Sequence, residues 1–204
     1  LLTVFASTAQ AESVMVGRFE AGELKGWQAE SFKGETRYSL IEIDQKMALQ
    51  AYSDGAASGL VRKIGIDLNK TPYLNWSWRV EQPLEGLDEI TKQGDDYAAR
   101  IYVIHSGGIL FWQTRALNYV WSGSRPKGSS WPNAYTDRSR NIAVESGPTR
   151  SGEWVHYKRN IVEDLWAQFR LEANKIDAVA LMTDTDNSQQ RATAYYGNIS
   201  FTAQ

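Results

Sequence analysis

Two short strings bring together four carboxylates and a guanidinium: Asp95-Asp96-Tyr97-Ala98-Ala99-Arg100 and Thr183-Asp184-Thr185-Asp186-Asn187-Ser188. In the first, Asp96, Ala98 and Arg100 share one face if a strand starts there, because side chains alternate along a strand. A carboxylate and a guanidinium so placed can form a bidentate pair or hold a polyol. Adjacent carboxylates could also bind a hard cation or supply general acid–base chemistry. A strand-entry turn with an internal ion pair to Arg100 uses the same residues without a ligand. The second string opens like an EF-hand loop, but Gln189 stands where Gly is required and no Glu completes the set, so an EF-hand is excluded. Asp184 and Asp186 then belong to an Asx-turn or to a looser oxygen-ligand site.

The densest aromatic stretch is 109–135. Alternation puts Arg115, Leu117, Tyr119 and Trp121 on one face, and Trp112, Thr114, Ala116, Asn118 and Val120 on the other. Both faces mix rings with polar groups, the combination that binds a sugar: a ring stacks on the pyranose and planar polar groups take its hydroxyls. Trp131 and Tyr135 on the next loop could close over such a ligand. Ordinary core packing of Trp and Tyr is the competing reading.

Other chemistries find less support. His105 and His156 are the only histidines, so a three-His zinc site cannot form. A Ser-His-Asp triad would lack the Gly-x-Ser-x-Gly elbow, and neither a P-loop nor a Gly-x-Gly-x-x-Gly fingerprint occurs. Arg159 and Asn160 could face the cleft of Arg100, or could serve helix entry and capping.

The elements that must position these groups are mostly strands. The 204 residues suit one domain, and 42% apolar with 23% charged residues reads as globular. Strand patterns fall at 14–19, 36–43, 47–53, 58–68, 73–80, 97–105, 109–122, 140–145, 153–161, 176–183 and 192–201. In 73–80, Leu74, Trp76, Trp78 and Val80 share one face, and Asn75, Ser77 and Arg79 the other. One helix is expected over 162–172, its stripe made by Val162, Leu165, Trp166 and Phe169 and its first turn carrying Glu163 and Asp164. A weaker helical turn is considered at 84–92. The long stretches 82–94 and 123–139 read as loops of functional or mobile type. The sum is an all-β, two-sheet, jelly-roll-like sandwich with one short helix.

Net charge is −2 with no basic stripe, which argues against nucleic acid. Residues 1–11 read as the end of a signal peptide, cut after Ala9-Gln10-Ala11, leaving 12–204 as the domain. No later run approaches the ~18 apolar residues of a membrane span. The absence of cysteine excludes disulfides and thiolate chemistry, and with export suggests a bacterial periplasmic or secreted protein. A monomer is expected.

Several stretches resemble the bacterial domain-of-unknown-function family DUF 3047. They include Pro72…Trp76-Ser77-Trp78, Asp95-Asp96-Tyr97-Ala98-Ala99-Arg100, Ala116-Leu117-Asn118-Tyr119-Val120-Trp121, Arg159-Asn160 and Met182-Thr183-Asp184-Thr185-Asp186-Asn187. The family name implies no activity. Phe19-Glu20…Gly26-Trp27 and Tyr195-Tyr196-Gly197-Asn198 also resemble the opening and closing strands of jelly-roll carbohydrate-binding modules. That resemblance implies a structural calcium joining the two ends through Glu20 and position 198, where Asn198 replaces the preferred Asp and weakens the site.

Three functions follow as expectations. The first is an exported domain binding oligosaccharide or polysaccharide through Asp95, Asp96, Arg100, Trp112, Arg115, Asn118, Tyr119, Trp121, Trp131, Arg159, Asp184 and Asp186. The second is a polysaccharide hydrolase or lyase using Asp96, Asp184 and Tyr119; hydrolysis needs two carboxylates about 5–9.5 Å apart across a cleft. The third is a structural or partner-binding envelope protein. The first two require the rings and charges of 95–122 to line an accessible groove.

Overall fold

In the computed structural model, which describes residues 12–108 and 113–204, thirteen strands form two facing sheets. In chain order they are β1 (Ser13–Gly17), β2 (Gln28–Lys33), β3 (Arg37–Ile43), β4 (Lys46–Asp54), β5 (Ala57–Asp67), β6 (Tyr73–Val80), β7 (Arg100–His105), β8 (Arg115–Ser122), β9 (Ser130–Pro132), β10 (Ser139–Ser146), β11 (Val155–Asn160), β12 (Lys175–Asp184) and β13 (Arg191–Thr202). A six-stranded sheet runs β11-β6-β13-β4-β3, with β1 also on β13. A seven-stranded sheet runs β2-β5-β12-β7-β8-β10-β9. The expected two-sheet sandwich is what forms.

The period-2 pattern decides which side chains go between the sheets. Leu74, Trp76, Trp78 and Val80 of β6 point inward and meet Leu117, Tyr119 and Trp121 of β8 in one core. Ring centroids lie 5.3 Å apart for Trp76–Tyr119 and 6.4 Å for Trp78–Trp121. Each such ring removes roughly 150–250 Å² from water, at about 25 cal/mol per Å², so this seam contributes substantially to the apolar stabilisation.

The helix is α1 (Ile161–Phe169). Asn160 caps it, its side chain accepting from the Val162 and Glu163 amides. Arg170, in the left-handed conformation at φ 53°, ends it. Its buried face is Ile161 and Leu165, while Val162 and Trp166 are exposed, so the apolar stripe is rotated from the expected one. The stretch 84–92 is not α-helical; only a 3-10 turn at Lys92–Gly94 forms beside it. Two strands escape the pattern reading. Every residue of the edge strand β2 is exposed, so no alternation marks it, and β9 is three residues inside a polar loop. No helix among the described residues is long and apolar enough to cross a membrane. Residues 1–11, with the expected signal peptide, lie outside the described residues, as does Trp112.

Candidate functional site

The two acidic strings do meet. β12 and β7 are antiparallel neighbours with Met182 opposite Arg100, which sets Asp184 beside the guanidinium. Arg100 Nη2 donates to Asp184, and Nη1 lies 3.6 Å from Asp95 Oδ2. Asp96 accepts from the Asn187 amide at 3.1 Å and the Ser188 amide at 2.6 Å. Asp95 accepts from Asn133 Nδ2 at 3.0 Å, and Asn118 Nδ2 donates to Asn141. Asp96, Asp184 and Asp186 form the one trio of potential metal ligands among the described residues, with oxygens within 4.8 Å of one another. Those of Asp96 and Asp184 already accept hydrogen bonds from protein donors.

This convergence is internal, and the expected groove is corrected accordingly. Asp96 and Asp184 are 1% exposed, Arg100 4% and Asn118 0%. Burial pushes the carboxyls of Asp184 and Asp95 up, against the opposing pull of Arg100. The cause is a roof: Glu89, Asp95 and Tyr97 of segment 81–99 bond, with Trp131 and Asn133, over the outer face of the seven-stranded sheet. There Tyr97 joins Val120, Trp131 and Ala143 in a second small core. The Glu89 carboxylate fastens the roof by accepting from Ser122 Oγ and the Gly123 amide. Gly123 is required here, since a Cβ would lie 1.9 Å from the Leu84 carbonyl oxygen. The cover is not free: Arg100 Nε and Asn118 Oδ1 are buried without a hydrogen bond. Buried under a roof, Asp96 and Asp184 do not face each other across an open cleft.

The remaining expected residues are placed elsewhere. Tyr119 and Trp121 point into the main core, 0% and 1% exposed. Tyr119 donates to Asp164 Oδ2 at 2.6 Å, and Arg159 Nε donates to the same oxygen at 2.8 Å, so both serve helix attachment. Trp121 Nε1 donates to the Gly147 carbonyl, and Trp131 Nε1 to that of Glu89. Arg115 sits at the far end of β8 from the Arg100 cluster, against the Phe169 ring. Glu20 and Asn198 are brought together, but Asn198 Oδ1 is occupied by the Glu20 amide. Among the described residues Glu20 is also the only carboxylate lining their depression, so this donor set does not fit the expected calcium.

The outer face of the six-stranded sheet is different. Its outward side chains form rows across the strands: Ser39, Gln50, Tyr195 and Arg79 in one, and Ser200, Asn75 and Lys158 in another. Between β6, β11 and β13 lies an open depression of about 430 Å³, lined by Glu20, Asn75, Trp76, Ser77, His156, Tyr157, Lys158, Asn198 and Ser200. A bulge in β13 after Tyr196 shapes its floor. Gly197 sits in the bulge, where a Cβ would lie 2.1 Å from Ser77 Oγ and would require that hydroxyl to turn away. Carboxylate, amide, hydroxyl, imidazole and ammonium groups thus surround a concave surface able to take and give hydrogen bonds.

Sequence reasoning missed His156, Asn75 and Lys158 as site residues. The alternation of 73–80 already put Asn75, Ser77 and Arg79 on the non-core face, and that signal could have found them. His156 was weighed only as a metal ligand or a triad base.

The fold has known counterparts. A family 30 carbohydrate-binding module of a Clostridium thermocellum cellulosomal cellulase superposes with TM-score 0.56 at 9% identity, covering 95% of this chain and 98% of that one. The xyloglucanase domain of NopAA, a type three effector from Sinorhizobium fredii, in complex with cellobiose, superposes with TM-score 0.50 at 12% identity, covering 98% and 100%. The sandwich is thus of the carbohydrate-binding-module jelly-roll type. No curated protein matches the sequence. The model of the family described as "Protein of unknown function (DUF3047)" matches residues 25–200, and the chain belongs to that family.

Proposed function

We propose that this domain binds a glycan in the depression on the outer face of its six-stranded sheet, and that it does so outside the cytoplasm. The observation that carries the reading is the polar concavity of about 430 Å³, which is open to solvent. Its lining offers both donors and acceptors, as a polyol requires, and His156 and Lys158 are exposed to meet it. The neighbours support the ligand class: one is a carbohydrate-binding module and the other holds cellobiose.

Calorimetric titration against a panel of neutral and uronic oligosaccharides tests this. One or more should bind, and His156→Ala combined with Asn75→Ala should weaken binding at least about tenfold, or 1.4 kcal/mol, with the circular dichroism spectrum unchanged. A panel without binding at millimolar ligand rejects the reading.

A further inference from the structure

We infer that the depression takes the end of a glycan chain and not a stretch within it; this rests on the glycan-binding reading. The argument is the shape of the outer face beyond the depression. A second depression of about 410 Å³, lined by Glu20, Glu42, Gln45, Lys46 and Met47, lies on the other side of Glu20. A polymer crossing the sheet along this line, over β13 toward β4, would have to run from one to the other. The space linking them, lined by Glu20, Lys46, Met47, Ser77, Trp154 and His156, holds only about 20 Å³. That is room for about one water molecule, not for a pyranose ring.

The constriction is built, not incidental. The β3–β4 turn puts Asp44 and Gln45 at positive φ, 52° and 63°, and carries Asp44 across the sheet. Asp44 Oδ2 accepts from Arg79 Nη1 at 2.7 Å and from Trp154 Nε1 at 3.1 Å. Glu81 holds the same guanidinium at 3.0 Å from Nε. The strap Trp154–Asp44–Arg79 therefore joins a turn, β6 and the entry to β11 over the sheet face. Tyr195, next to Arg79 in its row, is 8% exposed although it points outward. With the strap on one side and Glu20 on another, a chain running along this line from the open side meets the constriction beside Ser77 and His156. The terminal sugar unit, with its extra free hydroxyl, is what the blind end meets.

The test compares each polysaccharide with its own hexasaccharide by calorimetry, using mixed-linked β-glucan, xylan, polygalacturonate and alginate pairs. A chain-end reader binds hexamer and polymer with equal affinity per chain. Per sugar unit the polymer is then weaker by the ratio of the two chain lengths. Equal affinity per sugar unit overturns the inference and leaves the glycan reading standing. If no pair binds, the glycan reading falls and this inference with it. Asp44→Ala, in an exposed turn, removes the strap and should raise polymer affinity per sugar unit while hexamer affinity stays within twofold. Unchanged polymer binding in that variant overturns the role given to the strap.

Discussion

The two outer faces of this sandwich carry comparable polar and aromatic side chains and end in opposite states. On the seven-stranded sheet, Arg100, Asn118, Asn141 and Asp184 point away from the main core, yet segment 81–99 covers them and they bond to one another and to the roof. On the six-stranded sheet, Asn75, His156 and Lys158 occupy equivalent outward positions and stay accessible, because only the narrow Asp44 strap crosses that face. The lesson is that outward position in a strand does not define a binding surface; what the connecting loops do over it does. A charged cluster under a roof spends its hydrogen-bonding capacity on folding. On the uncovered face His156 and Lys158 are exposed to a ligand, and Asn75 offers its side-chain oxygen, its Nδ2 already donating to the Tyr73 carbonyl and Thr202 Oγ1.

The largest effect should come from breaking the covered face. Asp184→Ala leaves Arg100 buried beside Asp95 alone, and losing one partner of a buried ion pair costs about 3–5 kcal/mol. Urea unfolding measures this, and a loss below 1 kcal/mol would show the cluster to be more hydrated than its burial indicates. Ligand affinity of the folded fraction should not change, because the cluster lies on the other sheet. Next in size is Gly197→Ala, which sits where the comparison is sharpest. The new methyl collides with Ser77 Oγ, so stability should drop by about 1–3 kcal/mol and glycan binding should weaken with it. If only stability falls, the bulge shapes the fold but not the site.

How much of this was legible depends on what each residue answers to. The pattern of 73–80 gave β6 to the residue, because the inward Leu, Trp and Val side chains alternate strictly with polar ones. β2 was invisible, because an edge strand exposed along its whole length needs no apolar face. The meeting of the strings at 95–100 and 183–188 was read as a shared cleft, and their proximity is real. Their enclosure was not legible, since it depends on where a loop of polar composition lands. Glu89 and Trp131 fasten that loop through contacts 33 and 42 residues apart in the chain. The strap was equally hidden: Asp44 reaches residues 35 and 110 positions away. Periodicity reports local faces, and both decisive features of the surface are long-range.

The smallest expected effect discriminates how the roof is held. Burial raises the Glu89 carboxyl above its ordinary value of 4.5, with hydrogen bonds from Ser122 and the Gly123 amide offsetting part of the rise. A raised folded value means the native state holds its proton to higher pH than the unfolded chain does. This contribution to stability is therefore fully present below the unfolded value and is lost as pH rises through the folded one. Glu145 has the opposite sign. Burial alone would raise it, but hydrogen bonds from Tyr157 and Lys127 prevail and lower it, so its contribution is present above 4.5 and disappears as pH falls through its lowered value. Burial pushes Asp95, in the roof, and Asp184, beneath it, in the same direction, but Arg100 pulls against that shift in both. Glu89→Gln should therefore flatten the decline in stability just above pH 4.5, whereas Glu145→Gln should leave that limb alone and flatten the acid side. Urea midpoints measured from pH 3 to 7 separate the two. Identical profiles for both variants would mean that Glu89 under the roof and Glu145, a β10 carboxylate held by Tyr157 and Lys127, titrate alike, and the opposite signs assigned to them would be overturned.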